Sequence, residues 1–412
     1  MKKLYIFIGS LLFCIITVFT ILSIKKFVPK SLDESNENDN IEQKEQQNTS
    51  VTIDSYYDYL QNKLEKKVPA RIQKTNIKEQ VNVSDEYGLN EIKRIQETNI
   101  IGTSIDTNNQ NTIMETRGFW SYNIDQEKVN YYSYPGEGRI WDIVFSSNNT
   151  IYYIELVEKD TYYYWYLKSS TVNFENIKVL DEGTTSNWLE TPFFQIDPVT
   201  DKIIVYTIYE TINDYEISES KYKISTLENN QITPVIENTG NHTTKEGIFA
   251  QQAFYTTKIY NNLLIHCQVS YYGQETVELI NLDTKEKQII CQNNDIDNWQ
   301  IGEIALQENS ALITFNNKKT TNKARMVSIS DIADSKQITE IYMDGTKIIK
   351  SLKDNKYIVS CMGIFAIFDS QENRFLYRLD LGEYKFLPTY LSNNNQIVTT
   401  DNQNNVYITN LD

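Results

Sequence analysis

Only two histidines, four cysteines and 14 glycines occur among the 412 residues of this chain. His242 and His266 leave few partners for a His-based metal site or for Ser–His and Cys–His catalysis. No G-x-S-x-G segment is present to carry a serine nucleophile. Cys14 falls in an apolar run, so the other three, Cys267, Cys291 and Cys361, are an odd number that gives no disulfide framework. Glycine stands at about half its usual ~7% share, so the turns must be made by other residues. Cations are also in deficit. With 39 Lys+Arg against 55 Asp+Glu the formal charge is −16, which argues against a nucleic-acid partner, because phosphate neutralisation needs clustered Lys and Arg.

What the chain has instead is aromatic side chains: 29 tyrosines, 16 phenylalanines and five tryptophans, 12% of the total. Rings and few alanine-rich stretches favour strands over helices. The 40% hydrophobic and 23% charged shares are those of a globular protein.

The N-terminus reads as a membrane anchor. Leu4 to Ile24 carries no charge, and at ~1.5 Å per residue its 21 residues reach ~31 Å, enough to cross the hydrocarbon core. Lys2 and Lys3 precede it; Lys25, Lys26 and Lys30 follow. The one small-x-small approximation, Ile21-x-Ser23, is a poor cleavage site, so residues 1–30 are expected to stay as an uncleaved transmembrane helix. Residues 31–53 read as an acidic, flexible linker with no apolar periodicity. Residues 1–30 carry five lysines and no acid, leaving −21 for residues 31–412. A single N-terminal anchor ahead of a large C-terminal domain predicts a single-pass protein of the cell membrane with its bulk extracytoplasmic. Within 54–84, Asp54–Lys67 predicts a short helix with Tyr57, Leu60 and Leu64 on one face, ended by Pro69.

Beyond residue 85 the helical period gives way to short alternating runs separated by Asn/Asp-rich turns. Strand–turn–strand pairs recur, as in FWSYNIDQEKVNYYSY at 119–134, ETVELINLDTKEKQIICQ at 275–292 and FAIFDSQENRFLYRLDL at 365–381. Units of four antiparallel strands fall at about 85–138, 139–185, 186–246, 247–297, 298–345, 346–384 and 385–412. Their mean of ~47 residues is that of a propeller blade. Residues 85–412 are therefore predicted to form an all-β, seven-bladed β-propeller, with a six-bladed ring as the alternative because the first unit is the least regular. The seventh unit lacks a fourth strand. Lys78–Ser84 has the character to supply it beside Val406–Leu411 and so close the ring.

The turn elements Ile280-Asn281-Leu282-Asp283, Asn123-Ile124-Asp125 and Asn410-Leu411-Asp412 resemble those of TolB-like, YncE-like and quinoprotein-like bacterial propellers. The resemblance covers most of 85–412 and implies architecture only. The repeated Gly-His…Trp-Asp pair of WD40 proteins and the Asp-box of sialidases are missing.

The aromatic run Tyr162–Tyr166 is the most unusual local feature. Strand alternation puts its rings on both faces of a blade, one for packing and one available for stacking on sugars or a peptide. The candidate binding residues are Tyr162, Tyr164, Trp165 and Tyr166, with His242 in a rim loop. His266 and Cys267 are consecutive in a strand, so they face opposite ways and do not act together. Cys267 and Cys291 fall on the second and fourth strands of one blade, ~9.6 Å apart, too far for a disulfide. Acidic clusters at Asn293–Asn298, Asp197…Asp201 and Asp401–Asn405 read as hairpin turns rather than Ca²⁺ loops, since none has the EF-hand glycine and terminal glutamate. No cofactor is expected. The combination predicts a binding or scaffold module of the cell envelope, with an envelope protein, peptide or polysaccharide as partner. The alternative is a carbohydrate-active lyase or hydrolase using carboxylates and tyrosines in the propeller funnel.

Overall fold

In the computed structural model the described residues are 56–76, 87–96, 98–106, 116–146, 149–159, 162–186, 191–213, 216–238, 255–269, 274–320, 323–333, 338–344, 346–352, 354–361, 364–381, 389–391, 396–400 and 405–411. The expected anchor and linker lie outside them. Among the described residues no helix is long and apolar enough to cross a membrane.

The first described elements are α1 (Tyr56–Asn62), β1 (Lys66–Lys67) and β2 (Arg71–Asn76). Blade 1 is β3 (Tyr87–Gln96), β4 (Asn99–Asp106), β5 (Thr116–Asn123) and β6 (Lys128–Ser133). Blade 2 is β7 (Arg139–Phe145), β8 (Thr150–Lys159), β9 (Tyr162–Thr171) and β10 (Lys178–Thr185). Blade 3 is β11 (Phe193–Ile196), β12 (Ile203–Asn213), β13 (Glu216–Glu228) and β14 (Gln231–Asn238). Blade 4 is β15 (Lys258–Tyr260), β16 (Leu263–Val269), β17 (Glu275–Asn281) and β18 (Lys287–Asn293). Blade 5 is β19 (Trp299–Leu306), β20 (Ala311–Asn317), β21 (Lys323–Ile329) and β22 (Ile338–Asp344). Blade 6 is β23 (Thr346–Ser351), β24 (Lys356–Cys361), β25 (Ile364–Asp369) and β26 (Arg374–Leu379). Blade 7 has only β27 (Thr389–Leu391), β28 (Gln396–Thr400) and β29 (Asn405–Asn410) from its own stretch of chain.

Within each blade the strands from its own stretch of chain form an antiparallel meander in sequence order. The first strand of every blade touches the first strands of both neighbours, β27 against β3 included, so seven inner strands form a closed circle. Apolar side chains divide the same way, into one cluster per seam. Ile101, Phe119 and Ile143 fill the seam between blades 1 and 2. Ile397 packs on Ile358 and Ile367 between 6 and 7, and Val398 joins Ile100 and Trp120 between 7 and 1. Ile397 and Val398 are consecutive residues serving opposite seams, which is the period-2 geometry of a strand buried on both faces.

Asparagine and aspartate make the turns. Among the described residues, ten of thirteen non-glycine positions with positive φ are Asn or Asp. At Asn229–Asn230, Asn261–Asn262 and Asp354–Asn355 both central residues are left-handed, the pattern of a type I′ hairpin turn. Polar side chains then tie neighbouring turns together. Gln96 of blade 1 donates to Phe145 O (2.5 Å) and accepts from Phe145 N–H (2.9 Å) in blade 2. Gln307 of blade 5 does the same to Lys356 O (2.6 Å) and Asn355 N–H (2.9 Å) in blade 6.

The ring is closed by the N-terminal segment. β2 pairs antiparallel with β29, Ile72 opposite Ile408, and completes blade 7 as its outer strand. The closing strand is thus Arg71–Asn76; Lys78–Ser84 lies outside the described residues. Arg71–Asn76 holds one apolar residue, Ile72, and so gives no strand period of its own; its pairing with β29 is what identifies it. The helix is shorter than Asp54–Lys67, because Lys66–Lys67 leaves it to pair in parallel with β26, where Arg378 N–H donates to Glu65 O (2.9 Å). Leu60 and Leu64 are buried with Tyr357, Phe368 and Phe375 in the seam of blades 5 and 6. Among the described residues every strand of the seven sheets lies within residues 66–410.

Leu60→Ala is expected to destabilise the propeller by about 3 kcal/mol, because Leu60 is fully buried where α1 meets two blades. Urea unfolding checks this; a loss below about 1 kcal/mol would show that α1 is not part of the core.

Candidate functional site

Strand β9 divides the aromatic run between two seams. Registry with β8 puts Tyr164 opposite Val157 and Tyr166 opposite Glu155, on one face with Lys168 opposite Tyr153. Tyr163 and Trp165 point the other way, toward blade 3. Trp165 is fully buried. Its indole N–H donates to Ile208 O (2.8 Å) and its ring lies against Tyr209, centroids 5.2 Å apart. Gly183 makes room for that ring, since a Cβ there would come within 2.5 Å of it. Trp165 therefore joins blades 2 and 3 and offers no face to a ligand. Tyr162, Tyr164 and Tyr166 are half-buried, with Lys159 over the Tyr164 ring (5.3 Å) and Lys168 over the Tyr166 ring (5.2 Å). His242 lies outside the described residues.

Two largely buried charge pairs involve blade 2. Glu155, at 4% exposure, accepts hydrogen bonds from the Lys168 ammonium, the Tyr134 hydroxyl and Gly138 N–H. Tyr134 comes from the connection between blades 1 and 2, so the carboxylate pins that connection to β8. Burial, reinforced by the bond to Glu155, raises the Tyr134 hydroxyl far above its ordinary range; burial and the same carboxylate raise Tyr153. Both are donors held protonated. Nearer the ring axis, Arg94 of β3 spans both oxygens of Asp142 of β7 (2.8 and 3.0 Å) and donates to Ile143 O (2.7 Å). Asp142 also accepts from Phe194 N–H of β11 (2.8 Å), so one ion pair links the inner strands of blades 1, 2 and 3. Between them Trp141 has Lys93 and Arg139 at 5.4 and 5.2 Å from its ring.

Sequence reasoning missed both pairs. The one local trace is a charge inside an apolar run, as in Ile154-Glu155-Leu156 and Ile140-Trp141-Asp142-Ile143. The partners come from other strands, at separations of 13 and 48 residues.

The remaining titratable candidates are structural. His266 is buried between blades 3 and 4, with Tyr222 O–H 3.2 Å from Nε2 and Thr257 Oγ1 3.0 Å from Nδ1. Burial, with the Lys287 charge, lowers its imidazole to about 3, so it stays neutral. Cys267 faces the opposite seam, and burial raises its thiol well above the usual value. Val277 stands between Cys267 and Cys291 in register, and both remain thiols. Asp197 is fully buried; burial works to raise its carboxyl, but bonds from Asn262, Thr200, Val199 and Asn261 outweigh this and lower it. Its oxygens are thus occupied by turn N–H groups and the Thr200 hydroxyl. Asn293 is likewise held, by Glu275 Oε2 and Trp299 O (both 2.8 Å). Among the described residues no group of three His, Cys, Asp or Glu side chains converges. Asp401–Asn404 lies outside them.

These features define a seven-bladed β-propeller whose buried polar groups fasten blades together. No protein-family model and no curated protein matches the sequence. Solved structures of similar fold include a puromycin-hydrolysing peptidase of Mycobacterium tuberculosis (7% identity, TM-score 0.50, covering 82% of this chain and 52% of that one). Others are TolB of Acinetobacter baumannii (11%, 0.36, 76% and 79%) and the WD40 β-propeller domain of Doa1 (12%, 0.39, 80% and 98%). The chain spans about half the length of the peptidase. Likeness at this identity shows the fold alone.

His266 makes stability pH-dependent in a defined direction. Its folded value is depressed from 6.5, so the unfolded chain binds more protons as pH falls from 6.5 toward 3. The contribution is complete above 6.5 and is lost below it by up to about 1.4 kcal/mol per pH unit. Unfolding free energies of the wild type and His266→Gln should converge as pH drops through this window; a constant gap would contradict a neutral buried His266.

Proposed function

We propose that the chain is a membrane-anchored, extracytoplasmic propeller of the cell envelope that works as a binding or scaffold module. Its anchor is Leu4–Ile24 and its partner a peptide, protein or polysaccharide that stacks on Tyr162, Tyr164 and Tyr166. The observation that carries the binding reading is the row of half-buried rings Tyr162, Tyr164 and Tyr166, with Lys159 and Lys168 over the last two, and the direction of the pKa shifts elsewhere agrees with it. A tyrosine or cysteine that abstracts a proton or attacks needs a lowered pKa, and a carboxylic acid that donates one needs a raised pKa. Here Tyr134, Tyr153, Tyr209, Tyr357 and Cys267 are all raised, Asp197 is lowered, and His266 is neutral with both ring nitrogens engaged. Every one of these shifts deepens the resting state. The half-exposed tyrosines, each beside a lysine or a buried ion pair, supply rings for stacking without a reactive group next to them.

The lysines flanking Leu4–Ile24 support the anchor, and the sequence holds no second uncharged apolar run of that length, which supports a single span. Full-length protein should stay in the membrane pellet after alkaline carbonate extraction, and the propeller should be cut by protease added to intact cells. Release by carbonate would overturn the anchor; full protection would overturn the topology.

The double variant Tyr164→Ala/Tyr166→Ala should keep its fold and lose glycan or peptide binding at least tenfold on arrays, as expected for stacked rings contributing about 1 kcal/mol or more each. Unchanged array binding would move the site elsewhere. Turnover of a polysaccharide panel, abolished by Glu155→Gln, would instead establish the lyase or hydrolase alternative.

A further inference from the structure

We propose that the ring-closing segment is also a docking edge for anionic lipid headgroups, and that it fixes how the propeller faces the bilayer holding its anchor; this rests on the anchored reading above. Residues 63–76 carry Lys63, Lys66, Lys67, Arg71 and Lys74 against Glu65, a net of +4, in a stretch of chain whose residues 31–412 sum to −21. β1 and β2 are the outermost strands of blades 6 and 7, with Lys66 and Lys67 on the first and Lys74, 27% exposed and 3.5 Å from Glu127, on the second. Lys63, Lys66 and Lys67 are exposed. The Lys66–Asp380 bridge (2.7 Å) has both side chains over 40% exposed, which leaves Lys66 within reach of solvent ions.

Apolar side chains lie among the cations. Val68 is 70% exposed, the most exposed large apolar residue among those described, and Ile72 is 46% exposed. Inward-facing Leu60 and Leu64, by contrast, are buried. Exposed aliphatic groups within a cationic strip are the composition of an interfacial membrane contact. Position in the chain selects the lipid surface over an acidic protein. This segment holds the first described strands of the ring after Leu4–Ile24, so no other described strand is fewer residues from the bilayer. The acidic remainder is repelled by an anionic surface while this segment is attracted, which gives the domain one preferred orientation.

The test is sedimentation of the 53–412 fragment, which contains every described strand of the ring, with vesicles of mixed phosphatidylglycerol and phosphatidylcholine. Binding should be seen at low salt, weaken as salt screens it, and be absent with phosphatidylcholine alone. Lys63→Gln/Lys66→Gln/Lys74→Gln should bind on the order of 100-fold more weakly at an unchanged unfolding midpoint, about fivefold per lysine. Val68→Ser should weaken binding several-fold. The matched triple Lys178→Gln/Lys285→Gln/Lys319→Gln, exposed lysines of blades 2, 4 and 5, should bind as the wild type does. No binding to the anionic vesicles at low salt, or equal losses in both triples, would overturn the docking edge. A full-length chain retained after carbonate extraction alongside a fragment that ignores anionic vesicles sinks the docking edge alone. Release of the full-length chain sinks the anchor, with the vesicle result still deciding lipid affinity.

Discussion

A sheet of four strands with two apolar faces has no stable place in water, and this one constraint organises the whole molecule. Each blade covers one face with the blade before it and the other with the blade after it, so the series ends only by returning to its start. Seven apolar clusters correspond to seven seams. The aromatic surplus is spent there: Phe174 alone meets Phe119, Tyr134 and Tyr153 edge-on, at 5.0–5.6 Å between centroids. Closing the circle leaves β29 short of a partner, and the N-terminal segment supplies it. Residues 56–76 in fact reach three consecutive blades, with α1 in the seam of 5 and 6, β1 on the edge of 6 and β2 on the edge of 7.

Burying both faces of every sheet leaves backbone and charged groups near the axis that need partners of their own. Gln96, Gln307 and Asp197 each join the first turn of one blade to that of the next. Asp142 and Glu303 accept N–H groups from the inner strand of the following blade, at 2.8 and 2.7 Å. A carboxylate used this way has its acceptor oxygens engaged, and Tyr134, donating to Glu155, is held protonated. The same contacts that satisfy these buried groups also fasten one blade to the next.

Much of the architecture was legible because it repeats. Turn spacing marked out seven units whose strands the structure finds within the same limits. The two-residue period alone correctly set His266 and Cys267 on opposite seams and put a strand between Cys267 and Cys291. Low glycine with frequent Asn was legible as left-handed Asn turns. What could not be read was which partner a segment selects. Arg71–Asn76, with Ile72 as its one apolar residue, gives no strand period of its own, and only the register with β29 identifies it. The aromatic run showed that rings lie on both faces, but not that Trp165 faces blade 3, where Gly183 leaves space for it. Glu155 with Lys168 and Arg94 with Asp142 were hidden for the same reason, being contacts between strands and not within them.

Closure by Arg71–Asn76 is the claim on which the rest stands, and a cross-strand disulfide tests it directly. Gln73 lies opposite Tyr407, and facing residues of antiparallel strands are about 4.5–5.5 Å apart at Cα, within the span of a disulfide. Gln73→Cys/Tyr407→Cys is predicted to oxidise readily and to raise the unfolding midpoint, because the bridge holds the two ends of the ring together. Thiols that stay reduced under mild oxidant, or a bridge that forms only with loss of stability, would contradict closure by this strand.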